Sequence, residues 1–213
     1  MLPVTRTWFA AVAATHEPGY AEAMRAVAGA QGPLPEAALA TLAGKPAIAA
    51  LLRTTCVATQ VSGGTGKNVL PAEATANVNC RILPDETPED VRRALVEIVG
   101  DPGVEIVAAA ETVVGKPAPL DGEGPAAVGA VMARIHPGVP VIPKLVNYYT
   151  DSRSLTAVGM AAYGLGVLPL TEQDGLTAHA ANERIPVAGL RSGVEFLHAL
   201  VVELAAAKSA GSP

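Results

Sequence analysis

The chain contains 213 residues, of which 50% are hydrophobic, 3% aromatic and 16% charged. This length and apolar content are enough for one large or two modest packed domains and argue against extensive disorder. With a formal charge of −5 and an isoelectric point near 5.4, the chain has no basic surface for a phosphate backbone. We therefore expect no nucleic-acid partner.

The first 20 residues do not look like a targeting segment. An early proline and an acidic residue interrupt their apolar run, and no later stretch of 18 or more apolar residues would cross a membrane. We expect no membrane association, and the lack of a visible signal peptide favours the cytoplasm. Because the chain opens inside helix-like sequence, we also expect a cut N-terminal end, whose missing part could have carried a signal.

Residues 5–53 predict a group of short helices, because they are rich in alanine and broken by proline and glycine. The pattern then changes to two strands, TTCVATQVSG at 54–63 and ATANVNCRIL at 74–83. The second strand alternates strictly, with alanine, valine and cysteine on one face and threonine, asparagine and arginine on the other. This alternation predicts a half-buried strand.

The two strands are expected to pair as a hairpin. With Val61 near Thr75, Cys56 falls opposite Cys80 and Thr55 opposite Arg81 on the polar face. A disulfide is then geometrically conceivable, but two cysteines make no disulfide framework, and the favoured interpretation is a pair of buried thiols.

Helix signals are clearest at residues 87–99, where Thr87 is an N-cap candidate followed by proline and acidic residues. A third strand is expected at 103–114, which together with the hairpin and helix makes a small α+β sandwich. Proline and glycine cluster at 115–125 and predict a domain boundary there.

Beyond that boundary, the chain predicts an alternating α/β pattern typical of a piece of a larger doubly wound domain. The expected elements are a helix at 124–135, an apolar strand at 139–143, a short helix at 152–158, a strand at 160–167 and a terminal helix at 187–207.

Three segments carry a resemblance to a known family. They are RTTCVATQVSGGTGKNVLPAEATANVNCRILP at 53–84, TDSRSLTAVGMAAYGLG at 150–166 and HAANERI at 179–185. In this order they resemble signatures of the dinuclear-zinc metallopeptidases of the M20 type, which include aminoacylase, carboxypeptidase G, carboxypeptidase S and succinyl-diaminopimelate desuccinylase.

The resemblance implies an α/β fold in which a catalytic domain is split by an inserted dimerisation or lid domain. Residues 1–113 would form most of the lid, an α+β sandwich that makes homodimers, and residues 114–213 the C-terminal half of the catalytic α/β domain. The family binds two zinc ions, but the ligands and the glutamate general base that precede its lid have no counterpart in this chain.

The resemblance also assigns roles to five residues. His179 corresponds to the family's last histidine, a zinc ligand. Asn68 and Arg81 correspond to lid residues that hold the substrate's carboxylate or the tetrahedral oxyanion, which suits the planar donors of an arginine. Arg153 corresponds to an arginine near the scissile group, and Asp151 is expected to orient its loop.

Ordinary structural roles remain open for these residues. His179 alone is typical of a surface histidine, Arg81 of a surface ion pair, and Asp151 of a helix N-cap beside Arg153. The chain also departs from the family, with Tyr148 and Tyr149 in place of Gly-Ala. Two further departures are Thr156 in place of a second arginine and Ala180 in place of glycine.

We therefore expect the C-terminal part of a hydrolase that cleaves N-acyl amino acids or C-terminal peptide bonds when complete, and that is inactive alone. The alternative is a non-catalytic dimerisation and interaction module.

Overall fold

The computed structural model describes residues 1–108, 116–146 and 148–209. It divides into two compact units. The first contains Met1–Lys116 and Ile142–Tyr149, and the second contains Pro117–Val141 and Thr150–Pro213.

The first unit begins with four helices, as the alanine-rich sequence predicts. They are α1 (Pro3–Val12), α2 (Pro18–Gly29), α3 (Glu36–Ala43) and α4 (Pro46–Ala49). Three of them begin with proline, whose fixed φ and missing amide suit the first helical position. Their buried faces meet in one core, in which Phe9, Met24, Val27 and Leu42 have no exposed surface.

The two predicted strands form an antiparallel hairpin, β1 (Thr55–Gly63) and β2 (Ala74–Arg81). The predicted pairs Cys56 with Cys80 and Thr55 with Arg81 are confirmed. At the other end, Val61 pairs with Ala76 instead of Thr75, because the register shifts between Ala58 and Gln60. The extra residue in β1 is a β-bulge, which moves every later side chain of β1 by one pairing position.

The bulge brings Val61 onto the same face as Cys56 and Ala58, since residues directly opposite each other share a face. This apolar face contains Cys56, Ala58, Val61, Ala76, Val78 and Cys80. Thr55, Val57, Gln60 and Ser62 lie on the other face with their partners.

The expectation of a half-buried strand is wrong, because residues 74–79 of β2 are exposed on both faces. Within the part of the chain that the structure describes, no other helix or strand contacts the hairpin. The third strand is also not formed at residues 103–108, and its predicted remainder at 109–114 lies outside the described residues. A strand is defined by its hydrogen-bonded neighbour, and residues 103–108 have none.

The two cysteines form a disulfide, so the expectation of two buried thiols is wrong. Their Cα atoms are 4.1 Å apart across the hairpin. Cys56 is exposed and Cys80 half-buried. The register explains this bond. Directly opposite residues of an antiparallel pair have Cβ atoms close enough for their two sulfur atoms to form a disulfide.

Helix α5 (Pro88–Val99) follows the hairpin and confirms the sequence prediction. The Thr87 hydroxyl accepts a hydrogen bond from the Asp90 amide at 3.1 Å, and the Thr87 amide donates to the Asp90 carboxylate at 3.0 Å. This reciprocal capping box starts the helix. Gly100, with φ 64°, ends it in the left-handed conformation that glycine adopts without steric cost.

The second unit contains α6 (Glu123–Ile135), α7 (Ser152–Ala157), α8 (Glu172–Gly175) and α9 (Val187–Ser209). The helices expected near 124–135, 152–158 and 187–207 are thus confirmed. Helices α6 and α9 pack together, and Ala127, Val131, Phe196 and Leu200 form the core between them.

The strands predicted at 139–143 and 160–167 are not formed. Both segments are described throughout, but neither has a strand to pair with among the described residues. Their apolar runs are typical of strands buried inside a larger sheet, where neighbours on both sides supply the hydrogen bonds. Among the described helices, none is long and apolar enough to cross a membrane.

Candidate functional site

His179 lies in a turn after α8, and its side chain is exposed. Its φ of 64° makes it the one non-glycine residue with a positive φ in the part of the chain that the structure describes. Turn hydrogen bonds flank it on both sides: the Ala178 amide donates to the Gly175 carbonyl at 3.3 Å, and the Ala180 amide donates to the Thr177 carbonyl at 3.0 Å. The imidazole is therefore held at the tip of a compact loop and faces solvent.

The loop that carries His179 is closed by four residues, Thr171, Asp174, Thr177 and Arg184, which we name the loop clamp. The Asp174 carboxylate accepts from the Thr171 hydroxyl at 2.6 Å and from the Thr171 amide at 3.2 Å. Its other oxygen accepts from Arg184 Nε at 3.1 Å. The buried Thr177 hydroxyl donates to the Asp174 carbonyl at 2.7 Å and accepts from the Arg184 amide at 3.3 Å.

The loop clamp favours the charged form of Asp174. The pKa of this carboxyl group lies below its ordinary value of 3.8. The largest cause is the hydrogen bond from the Thr171 hydroxyl, followed by the bond from the Thr171 amide and the contact with Arg184. The carboxylate is therefore ionised near neutral pH, as charge-assisted bonds to three donors require.

Asp151 and Arg153 lie at the start of α7. Asp151 occupies the N-cap position, and its carbonyl accepts from the amides of Ser154 and Leu155. Its side chain makes no capping hydrogen bond. The helix-cap interpretation therefore holds for the backbone of Asp151 and not for its carboxylate. Arg153 is half-buried, and its carbonyl accepts from the buried Thr156 hydroxyl at 3.2 Å.

The positions at which the chain departs from the family motif have different surroundings. Tyr148 and Tyr149 are both exposed, at 61% and 62% of their surface. Thr156 is buried in α7, and Ala180 is exposed beside His179. A longer side chain at position 156 would have to displace its neighbours in this helix.

Asn68 and Arg81 lie at opposite ends of the hairpin. Asn68 is exposed in the loop that joins the two strands, whereas Arg81 is the last residue of β2 and pairs with Thr55. An eight-residue strand spans roughly 23 Å at about 3.3 Å per residue. The structure therefore does not bring these two expected substrate residues together within one chain.

The metal expected from the resemblance does not fit the described residues alone. Among residues 1–108, 116–146 and 148–209, no group of three or more His, Cys, Asp or Glu side chains is placed to hold a metal ion. A catalytic zinc ion needs about three protein ligands. One histidine such as His179 does not reach this number.

Comparison with known proteins identifies part of the first unit. Residues 13–107 match the family model described as the peptidase dimerisation domain. N-fatty-acyl-amino acid synthase/hydrolase PM20D1 of Mus musculus is 29% identical, over 71% of this chain and 31% of the relative. Probable carboxypeptidase S-like 2 of Dictyostelium discoideum is 26% identical, over 75% and 31%. PM20D1.1 of Danio rerio, also a synthase/hydrolase, is 30% identical, over 75% and 32%.

The family match assigns residues 13–107 to the M20 peptidases, and the similarity to PM20D1 and to a carboxypeptidase S-like protein supports the same family for the chain. The alignment with the mouse relative covers 71% of this chain, which is more than the first unit contains, so the likeness extends into the second unit. The chain spans just under a third of the length of the curated relatives it matches. No solved structure matches it significantly.

The sequence prediction for this chain missed the loop clamp. A signal was present, since TEQD at 171–174 has the spacing of a capping box with aspartate at its last position. The contact from Asp174 to Arg184 had no comparable signal, because it depends on how the turn at His179 folds back.

Proposed function

We propose that this chain forms the C-terminal part of a zinc-dependent hydrolase that cleaves N-acyl amino acids or C-terminal peptide bonds, and that it is inactive alone. The observation that carries the proposal is the extent of the likeness. It runs past the dimerisation domain toward relatives whose names describe N-fatty-acyl-amino acid hydrolysis and a carboxypeptidase.

In this proposal, His179 supplies one zinc ligand, and its exposed position at the tip of a closed loop leaves it accessible to a metal held by other residues. The remaining ligands and the general base come from polypeptide outside these 213 residues. The described part of the chain supplies no further ligand group.

Arg153 and Asp151 act beside the scissile group, with Asp151 orienting the loop before α7. Asn68 and Arg81 bind the substrate's carboxylate or the oxyanion. Because these two lie at opposite ends of one hairpin, we propose that they serve different sites, one of them in a partner subunit.

The dimer forms through the β1–β2 hairpin. A two-stranded hairpin is marginally stable by itself in water, and its exposed apolar face would be covered in a homodimer. The family match of residues 13–107 to a peptidase dimerisation domain supports this partner.

The disulfide bears on location. Disulfides persist in oxidising compartments and are rare in the cytosol, so the bond between Cys56 and Cys80 favours an extracytoplasmic location over the cytoplasm expected from the sequence.

The alternative function is a non-catalytic dimerisation module. It is favoured by the same exposed hairpin and by the lack of a metal-ligand group among the described residues.

These two functions can be distinguished by producing the chain together with the polypeptide encoded directly upstream. The hydrolase proposal expects zinc-dependent cleavage of an N-acyl amino acid by the pair, by neither polypeptide alone, and not with His179→Ala. An upstream polypeptide without acidic metal ligands, or cleavage unchanged in His179→Ala, would favour the module.

A further inference from the structure

We propose that Asp174 is the positioning residue for the His179 imidazole, because its carboxylate closes the loop that presents this ring. The inference rests on the proposed function in one respect only, namely that His179 acts at the site.

Asp174 touches the loop at its beginning, middle and end. Its carboxylate accepts from the hydroxyl and amide of Thr171 before α8, and its carbonyl accepts from the Thr177 hydroxyl and amide after α8. The second carboxylate oxygen accepts from Arg184 Nε. Arg184 follows His179 in the chain, so this last bond closes the loop around the imidazole.

The backbone at His179 gives a reason for such a closure. With φ at 64°, His179 is in the left-handed region, where the other described residues of positive φ are all glycine. A non-glycine residue persists there only when its surroundings hold it, and such positions cluster at functional sites. Among the described residues, the hydrogen bonds of the loop clamp hold the two ends of this loop together.

Helix capping alone does not explain Asp174. Asp90 makes the same reciprocal box with Thr87 at the start of α5, and its arginine partner, Arg93, lies three residues later on the same helix. The arginine partner of Asp174 lies ten residues away, beyond the His179 turn. The carboxylate of Asp174 therefore does more than start a four-residue helix.

The test is NMR spectroscopy of the 213-residue chain with ring-labelled histidine, with His179→Ala identifying the relevant ring signal. In Asp174→Ala, we expect the His179 ring signal to move toward that of a histidine in a flexible peptide. Hydrogen exchange of the Ala180 amide should accelerate on the order of tenfold, as expected for local opening. Asp174→Glu should restore both, because glutamate at this position also completes a capping box.

Asp90→Ala is the matched control, since it removes an equivalent box and ion pair without touching the His179 loop. Arg184→Gln removes only the bond that closes the loop and carries the same expectation if Asp174→Ala does not fold.

An unchanged His179 ring signal and Ala180 exchange rate in Asp174→Ala or Arg184→Gln would overturn the proposal, as would equal changes in Asp90→Ala. Neither readout uses hydrolysis, so a negative result here leaves the proposed hydrolase intact, and failure of the hydrolase leaves the positioning result intact.

Discussion

The Thr171–Asp174 capping box links the charge of one carboxyl group to the shape of the His179 loop. Because the folded chain lowers the pKa of Asp174 below 3.8, ionised Asp174 stabilises the fold above the unfolded pKa. That contribution is lost as the pH falls through the lowered value.

We therefore expect the loop to stay closed at neutral pH and to open only below pH 3.8. The measurement is an acid titration that follows the Thr171 amide, which donates to Asp174 at 3.2 Å. In Asp174→Ala, the same amide should show no transition in this range. If the Thr171 amide of the wild type showed its transition well above the ordinary aspartate pKa, protonation of Asp174 would not be its cause.

At the same scale, the sequence could predict which side chains matter only through the family motif. The sequence indicates His179 and Arg153 only because HAANERI and TDSR resemble family segments. The left-handed φ of His179 and the contact from Asp174 to Arg184 were not predictable, because both depend on tertiary folding of a polar loop that has no hydrophobic periodicity.

At the scale of elements, the packing of α9 depends on a glycine. A Cβ atom built on Gly193 would lie 2.8 Å from Leu168 Cδ2 and 3.0 Å from the Val167 carbonyl oxygen, whereas one on Gly129 of α6 would meet nothing within 4 Å. The 167–168 segment can therefore approach α9 closely only because position 193 has no side chain.

We expect Gly193→Ala to lower the free energy of unfolding by about 1–3 kcal/mol through overpacking. Gly129→Ala, the matched control, should raise it by up to about 1 kcal/mol through helix propensity. Denaturant unfolding of both variants measures the difference. If both substitutions raised the free energy of unfolding, residues 167–168 would be able to move away from α9 without loss of stability, which would contradict the prediction.

The disulfide of the hairpin gives a second prediction at this scale. Opening the disulfide by Cys80→Ser releases a loop with a sequence separation of 24 residues, so we expect the free energy of unfolding to fall by about 3 kcal/mol. The unreduced wild-type chain should contain no titratable thiol. Two reactive thiols in the protein as purified would contradict the bond.

An element could be predicted from the sequence when the signals for it lie within its own residues. Helix α5 has a threonine cap, proline, acidic residues and a terminal glycine within its own sequence. The predicted hairpin pairing is correct only at the cysteine end, before the bulge. The strands expected at 139–143 and 160–167 are not formed, because a strand requires a neighbour and apolar composition does not supply one. The bulge in β1 was likewise invisible to a pattern of period two.

At the scale of the whole molecule, the exposed hairpin predicts self-association. Val61 lies on the apolar face opposite Ala76, whereas Val57 lies on the polar face opposite Asn79, and both are exposed, at 78% and 63%. A charge placed at Val61 would therefore enter the proposed dimer contact, and one placed at Val57 would not.

Analytical ultracentrifugation at micromolar concentration should find a dimer for the wild type and for Val57→Glu, and a monomer for Val61→Glu. A monomeric wild type, or equal effects of the two substitutions, would contradict dimerisation through the apolar face.

The central claim is that His179 is one ligand of a zinc site whose other ligands lie outside this chain. Isothermal titration of the isolated chain with zinc tests it most directly, because a single exposed imidazole does not hold the metal tightly. The account predicts weak binding that is the same in the wild type and in His179→Ala. Tight zinc binding that is lost in His179→Ala would contradict it.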